Sequence, residues 1–223
     1  MILYIIPFLF TIIGAIVYDI FKGKGIGKTA LWIFLYVYLT LLIGLRYMVG
    51  GDTFFYYQYF DELSLTDLFD LNFNDEYQPF FIQSMLIAKA IYPKFISYQL
   101  LHILFINTVL FWFIKKKSNY IFSVLFFCLL IFYINYTVEI LRESLAIMVF
   151  VLNYKNLENK KWVKYFIGVL IASMFHLSAL YLLVIPFVRF LRLNYFYGVL
   201  IVLFSIVHIP VILTTQFQFK VST

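Results

Sequence analysis

The chain has 223 residues, 64% of them hydrophobic, 22% aromatic and only 13% charged, with a formal net charge of +6. A soluble domain carries about 25% charged residues, so this composition excludes a water-soluble enzyme, a disordered tail and a nucleic-acid-binding module. The single cysteine, Cys128, lies in an apolar run and excludes a disulfide framework or a CxxC metal or redox site. A helix needs about 20 mainly apolar residues to cross a bilayer. In chain order the apolar segments are Ile2–Phe21, Thr29–Val49, Ile96–Ile114, Tyr120–Tyr136, Val138–Tyr154, Trp162–Phe190 and Leu193–Leu213. Pro79–Tyr92 is an eighth, apolar but short. The runs are continuous rather than alternating, which predicts helices and not the strands of a barrel. The expected fold class is all-α: a polytopic membrane helix bundle of seven or eight apolar segments, forming one transmembrane domain over 1–223. The first segment lacks a basic leader and a small-residue cleavage site, and Lys22, Lys24 and Lys28 follow it, unlike a cleaved signal peptide.

Short cytoplasmic loops are enriched in Lys and Arg. Lys22, Lys24 and Lys28 therefore place the first loop inside, and the loop 50–78 falls outside. That loop holds Asp52, Asp61, Glu62, Asp67, Asp70, Asp75 and Glu76, and no Lys or Arg. Lys115–Lys117, Lys155–Lys164, Arg189 and Arg192 read as inside. Two segments break simple alternation. Pro79–Tyr92 is expected to be re-entrant or interfacial, and the overlong Trp162–Phe190 is expected to bend back near Phe175–Ser178.

Ionisable groups within spanning segments are costly and face the bundle interior or a watery cavity. Arg46 ends the second segment, just ahead of Gly50-Gly51-Asp52. Asp52, Tyr56 and Phe60 share a face if that stretch is helical. Glu139, Arg142 and Glu143 open another segment at helical spacing, and His176 and Ser178 sit within the long one. The charge rule puts all of these toward the outer face. Each also has an ordinary reading. Arg46 could snorkel to headgroups, Arg142 could neutralise Glu139 or Glu143 within its own helix, and His176, like His102 and His208, could be a hydrogen-bonded packing residue. The acids at 61–75 read as a solvated loop, and Phe54, Phe55, Tyr56, Tyr57 and Tyr59 as an interfacial belt or a sugar-stacking platform. Gly27-Lys28-Thr29 is not a P-loop, since no strand precedes it. No His/Cys/Asp cluster has metal-ligand spacing.

At these residues the sequence resembles the EpsG-like branch of Wzy-type polysaccharide polymerases. The matching pieces are Arg46 with Gly50-Gly51-Asp52 through Tyr56 and Phe60, then Glu76-Tyr-Gln-Pro79, then Ile140-Leu-Arg142-Glu143-Ser-Leu-Ala146, and Phe175-His176-Leu-Ser178-Ala179. Glu143 departs from the Gln that often follows the arginine, and family members usually continue for several more helices, so a chain truncated at its C-terminus is expected. The resemblance implies a glycosyltransferase that joins undecaprenyl-diphosphate-linked oligosaccharide units at the outer face of the bacterial cell membrane. It implies neither cofactor nor metal and no nucleic acid. Its partners would be membrane lipid and the flippase and chain-length regulator of the same pathway. Departure of a diphosphate suits arginine, whose planar fork binds phosphate and stays charged. Attack by a sugar hydroxyl needs a positioned imidazole or carboxylate. His176, Arg142 and Asp52 are thus the catalytic candidates, and Arg46, Tyr56, Glu76, Glu143 and Ser178 the substrate-binding ones. A transporter or flippase for lipid-linked sugars, or a non-catalytic subunit binding the carrier lipid, would use the same charges.

Overall fold

The computed structural model describes residues 2–47, 49–66 and 77–188. Glu76 and the acids at 67, 70 and 75, the segment Leu193–Leu213, Arg189, Arg192 and His208 lie outside the described residues. By compactness the chain divides after Leu183. The bundle below is the first unit. Of the second, Val184–Thr223, the helix Ile185–Val188 is described.

Helix α1 (Ile2–Gly14) runs on through a π-helical stretch, Ala15–Ile20, and is followed by α2 (Ile26–Gly44). Two shorter helices, α3 (Thr53–Glu62) and α4 (Pro79–Ile91), precede the longest, α5 (Phe95–Lys117). Then α6 (Ile121–Cys128), a π-helical turn Leu129–Tyr133 and α7 (Ile134–Val138) form one continuous rod. Helices α8 (Leu141–Glu158) and α9 (Trp162–Ser173) pair next, and a 3₁₀ helix follows at Leu177–Val184. No strand occurs among the described residues. Four of the helical stretches are long and apolar enough to cross a membrane: Leu3–Ile20, Ile26–Gly44, Phe95–Lys117 and Ile121–Val138. The protein is a polytopic helical membrane protein.

Lipid tails are as apolar as leucine, so close packing and polar contacts between helices, rather than hydrophobic burial, hold such a bundle together. One chain of contacts crosses three segments: Tyr133 in the π turn donates to Asn107 Oδ1 (2.7 Å), and Asn107 Nδ2 donates to Thr40 Oγ1 (2.9 Å). Aromatic edges fill the space around it, as where Trp32 meets Phe111 and Phe122.

The two ends of the bundle differ in charge. At one end Ser123 N–H and Oγ donate to Asp19 Oδ2 (2.8 and 2.9 Å), and Lys117 pairs with Glu158 at 2.7 Å. These contacts gather the loops that carry Lys22–Lys28, Lys115–Lys117 and Lys155–Lys164. The opposite end collects the C-terminus of α2, helices α3 and α4, and the first turn of α8. There Lys89 of α4 donates to the carbonyls of Phe60, Asp61 and Leu63, which closes the end of α3.

Several boundaries differ from the sequence reading. The second segment ends at Gly44 rather than Val49, because Arg46 turns back to cap it. The segment expected to start at Val138 starts at Leu141, since Glu139 and Ile140 leave the helix. Helix α4, of 13 residues, is roughly 20 Å long, against about 30 Å of hydrocarbon. Its start bonds Met174, and its end holds α3 and the start of α5 through Lys89 and the Ser97 Oγ–Ala88 carbonyl bond. Both ends of α4 thus contact the same end of the bundle. The break in the long segment falls at Met174–His176, where the Phe175 and His176 amides bond back to the Ala172 carbonyl (3.0 and 3.2 Å). Beyond it the chain folds back along α9, and the Tyr165 hydroxyl donates to the Leu182 carbonyl at 2.7 Å.

Candidate functional site

Four pieces of chain meet at the end opposite the lysine-rich loops. The first is the turn after α2. Gly50 there has φ +116°, and a Cβ on it would lie 2.7 Å from the Val138 carbonyl oxygen. Only a glycine lets the turn press against the α7–α8 junction in this way. The next amide, Gly51 N–H, donates to Glu139 Oε2 at 2.6 Å, fastening the turn to the junction. Helix α3 then starts, with Asp52 exposed at its N-cap position and Tyr56 and Phe60 buried on one face.

The second piece is the first turn of α8. Arg142 Nε–H donates to the Tyr56 hydroxyl at 3.3 Å, and the guanidinium carbon lies 4.8 Å from the centre of the Tyr77 ring and 6.0 Å from that of Tyr56. Planar guanidinium suits such a face, which attracts it through the ring quadrupole. The cation is therefore held in place by aromatic groups. Among the described residues Arg142 makes no ion pair with Glu139 or Glu143. The ordinary reading of Arg142, neutralisation within its own helix, is therefore not what these residues show, and Ile140, which interrupts the helix, takes Glu139 off the face of Arg142. Burial pushes the Tyr56 phenol up, opposed by the Arg142 bond. Tyr56 is therefore a neutral hydrogen-bonding group near pH 7 and not a base.

The third piece is the break after α9. His176 Nε2 lies 3.0 Å from Glu143 Oε1. With Nε2–H donating to the carboxylate, Nδ1 is the nitrogen that keeps a lone pair, and it has no partner among the described residues. The fourth piece, around α4, closes the ring: Phe80 N–H donates to the Met174 carbonyl at 3.0 Å, and the Phe80 and Phe175 rings meet at 5.7 Å. Tyr77 packs on Tyr56, Tyr59 and Phe81 and so carries this segment to Arg142.

Arg142, Tyr56, Glu143 and His176 are thus in one connected cluster, with Asp52 one turn before Tyr56. Ser178 is exposed in the first turn of the 3₁₀ helix and makes no side-chain hydrogen bond to the cluster among the described residues. Glu76 lies outside the described residues. Arg46 is elsewhere: it is only 5% exposed, with Nη1 donating to the Ile43 carbonyl (2.8 Å) and Nε to the Val49 carbonyl (3.3 Å). It caps one carbonyl at the end of α2, ties that end to the following turn and does not snorkel.

Two residues carry more of the site than their sequence pattern suggested. Tyr77, next to Glu76, supplies the ring beneath Arg142. Its neighbours in the motif drew attention by charge, while an aromatic in a protein with 19 tyrosines does not stand out. His102, expected to be a packing residue, is buried with Nε2 3.1 Å from the Leu141 carbonyl and 3.0 Å from Ser144 Oγ. It is hydrogen-bonded packing, and what it packs is the turn that bears Arg142.

No group of three or more metal-ligating side chains occurs among the described residues. The cluster offers a cation on an aromatic platform, a carboxylate–imidazole pair and a carboxylate at its edge. Neither a curated protein nor a solved structure matches the chain. The profile of the EpsG family matches residues 29–222, nearly the whole length and including every piece of the cluster. The chain belongs to the EpsG family, membrane proteins of polysaccharide biosynthesis.

Proposed function

We propose that the protein is a polysaccharide polymerase: a glycosyltransferase that transfers a growing chain from its polyprenyl-diphosphate carrier to the sugar of the next lipid-linked unit. The observation that carries this reading is the continuous set Tyr77–Arg142–Tyr56 and Glu143–His176, which puts a phosphate-binding cation and a proton acceptor on one turn of α8 and its neighbour. In the reaction a sugar hydroxyl attacks the anomeric carbon of the donor. The new carbon–oxygen bond forms as the bond to the diphosphate breaks, and the bonding pair leaves with the diphosphate. The hydroxyl proton passes to His176 Nδ1, while Glu143 holds Nε2–H and offsets the imidazolium charge. Arg142 meets the charge that grows on the departing diphosphate, where a preorganised donor is worth most. Asp52, Ser178 and Glu76 would contact the sugars.

The site would face the outside of the bacterial cell membrane, with the lysine-rich end in the cytoplasm. Flippase and chain-length regulator would act beside it. The test is chain extension in membranes supplied with lipid-linked repeat units. Arg142→Ala and His176→Ala are expected to abolish long polymer while the protein remains in the membrane. Unchanged polymer length in both variants would overturn the assignment, and repeat units trapped on the inner leaflet would point to transport instead.

A further inference from the structure

A cavity of about 490 Å³ at the same end of the bundle shares no residue with the Arg142 cluster. Arg46, Tyr57, Asp61, Lys94, Phe95 and Gln99 are among its lining residues. Two of these are deeply buried polar side chains, Arg46 at 5% exposure and Gln99 at 4%. Arg46 spends Nη1 on the Ile43 carbonyl at the end of α2 and Nε on the Val49 carbonyl in the following turn, and Nη2 finds no acceptor among the described residues. Gln99 Nε2 is in the same position. A buried donor without an acceptor forfeits the full cost of its desolvation, and a charged one forfeits more.

The sign of this imbalance is informative. Both unmatched groups are donors, so what completes them is a group rich in acceptors. A sugar hydroxyl brings a donor with each acceptor. A phosphate oxygen brings acceptors and negative charge, and it matches the guanidinium fork. Lys94, exposed at the rim, adds a second cation. The one acid, Asp61, lies beside Tyr57 and pushes its phenol up. Leu45 and Tyr47, at 51% and 85% exposure, also line the cavity and present apolar surface outward. That combination suits a phosphate carried on a lipid at headgroup level.

We propose that this cavity is a phosphate-binding subsite, separate from the Arg142 cluster, in which Arg46, Gln99 and Lys94 hold the phosphate of a membrane lipid. The phosphate belongs either to a bilayer phospholipid or to a polyprenyl carrier. Both present the same oxygens to the same donors. Arg46 supplies the charge from behind the wall of the cavity and Lys94 from its mouth. The inference stands apart from the reading of Arg142, because binding here can be measured without polymer synthesis.

Ile96 lines the cavity and is half-buried, so Ile96→Cys in a Cys128→Ser background reports locally on occupancy. The full chain is purified in detergent, and the rate of its reaction with a water-soluble maleimide is followed. The additions are inorganic pyrophosphate, phosphatidylglycerol, a polyprenyl phosphate, or neutral diacylglycerol as the control. Phosphate-bearing probes are expected to suppress most of the reaction, and diacylglycerol to leave it unchanged. Arg46→Gln and Lys94→Gln are each expected to raise the half-protecting concentration about tenfold, the worth of one charge-assisted hydrogen bond. Protection by pyrophosphate shows that the phosphate alone suffices. Protection by phosphatidylglycerol only identifies a bilayer lipid, and protection by polyprenyl phosphate at lower concentration identifies the carrier. An unchanged rate with all three probes, equal protection by diacylglycerol, or protection indifferent to Lys94→Gln overturns the proposal. Lys94 is exposed, so its variant keeps the test decisive where Arg46→Gln fails to fold.

Discussion

Replacing Gly50 by alanine separates two costs that one position normally mixes. Gly50 has φ +116°, a conformation that a side chain disfavours by about 1–3 kcal/mol. The added Cβ would also lie 2.6 Å from Thr53 Oγ1 and 2.7 Å from the Val138 carbonyl oxygen. Neither neighbour yields easily. Val138 offers backbone, and the Thr53 hydroxyl is committed to the Val49 carbonyl at 2.7 Å. Overpacking of this kind costs about a further 1–3 kcal/mol. Gly25 provides the control, with φ +115° and nothing within 4 Å of its would-be Cβ. Gly25→Ala therefore carries the conformational cost alone. At about 2–4 °C per kcal/mol for chains of this size, Gly50→Ala should melt roughly 2–12 °C below Gly25→Ala in the same detergent. Because Gly51 N–H also holds Glu139, Gly50→Ala should further shorten the polymer, whereas Gly25→Ala should not. Equal melting temperatures for the two variants would refute the claim that the turn is pressed against the α7–α8 junction.

Tyr77→Phe keeps the ring under Arg142, and Tyr77→Leu removes it. Loss of a cation–π contact of about 0.5–2 kcal/mol should reduce extension by roughly two- to thirtyfold in the leucine variant relative to the phenylalanine one, measured as polymer formed per unit of membrane-inserted protein. His102→Gln retains a donor toward the Leu141 carbonyl, whereas His102→Leu leaves that carbonyl and Ser144 without it. Because the Ser144 hydroxyl still donates to the Leu141 carbonyl, the leucine variant should lose about 0.5–1.5 kcal/mol of thermal stability together with activity, and the glutamine variant should recover part of both. Cysteines at positions 52, 139 and 178 should react with an impermeant reagent added to intact cells. Labelling at 139 from the cytoplasmic side alone would reverse the proposed orientation.

The sequence showed the membrane class outright, because span length and hydropathy are local quantities that the bilayer imposes on each segment separately. The break at Met174–His176 was also legible, since 29 apolar residues exceed one crossing and a histidine and a serine interrupt them. So was the shared face of Tyr56 and Phe60, which follows from helical spacing alone. The relation of Glu139 to Arg142 was not. Their spacing of three suggests one helical face, but Ile140 leaves the helix and sends Glu139 to Gly51. The partners of Arg142 and Arg46 were equally hidden. Arg142 reaches a tyrosine 86 residues away, and Arg46 folds back on its own helix end.

Charge scarcity and its distribution, lysines gathered in some loops and acids in another, were thus set by the sequence itself, because they depend only on which residues adjoin each apolar run. Which of the few charges meet is a matter of helix rotation, depth and the exact residue at which each helix stops. A shift of one residue turns a side chain by about 100° around its helix. Those quantities are fixed jointly by the packing of α2, α5, α8 and α9, and only the tertiary structure decided that Arg142 rests on Tyr77 and Tyr56, that His176 faces Glu143, and that Arg46 lines a cavity of its own.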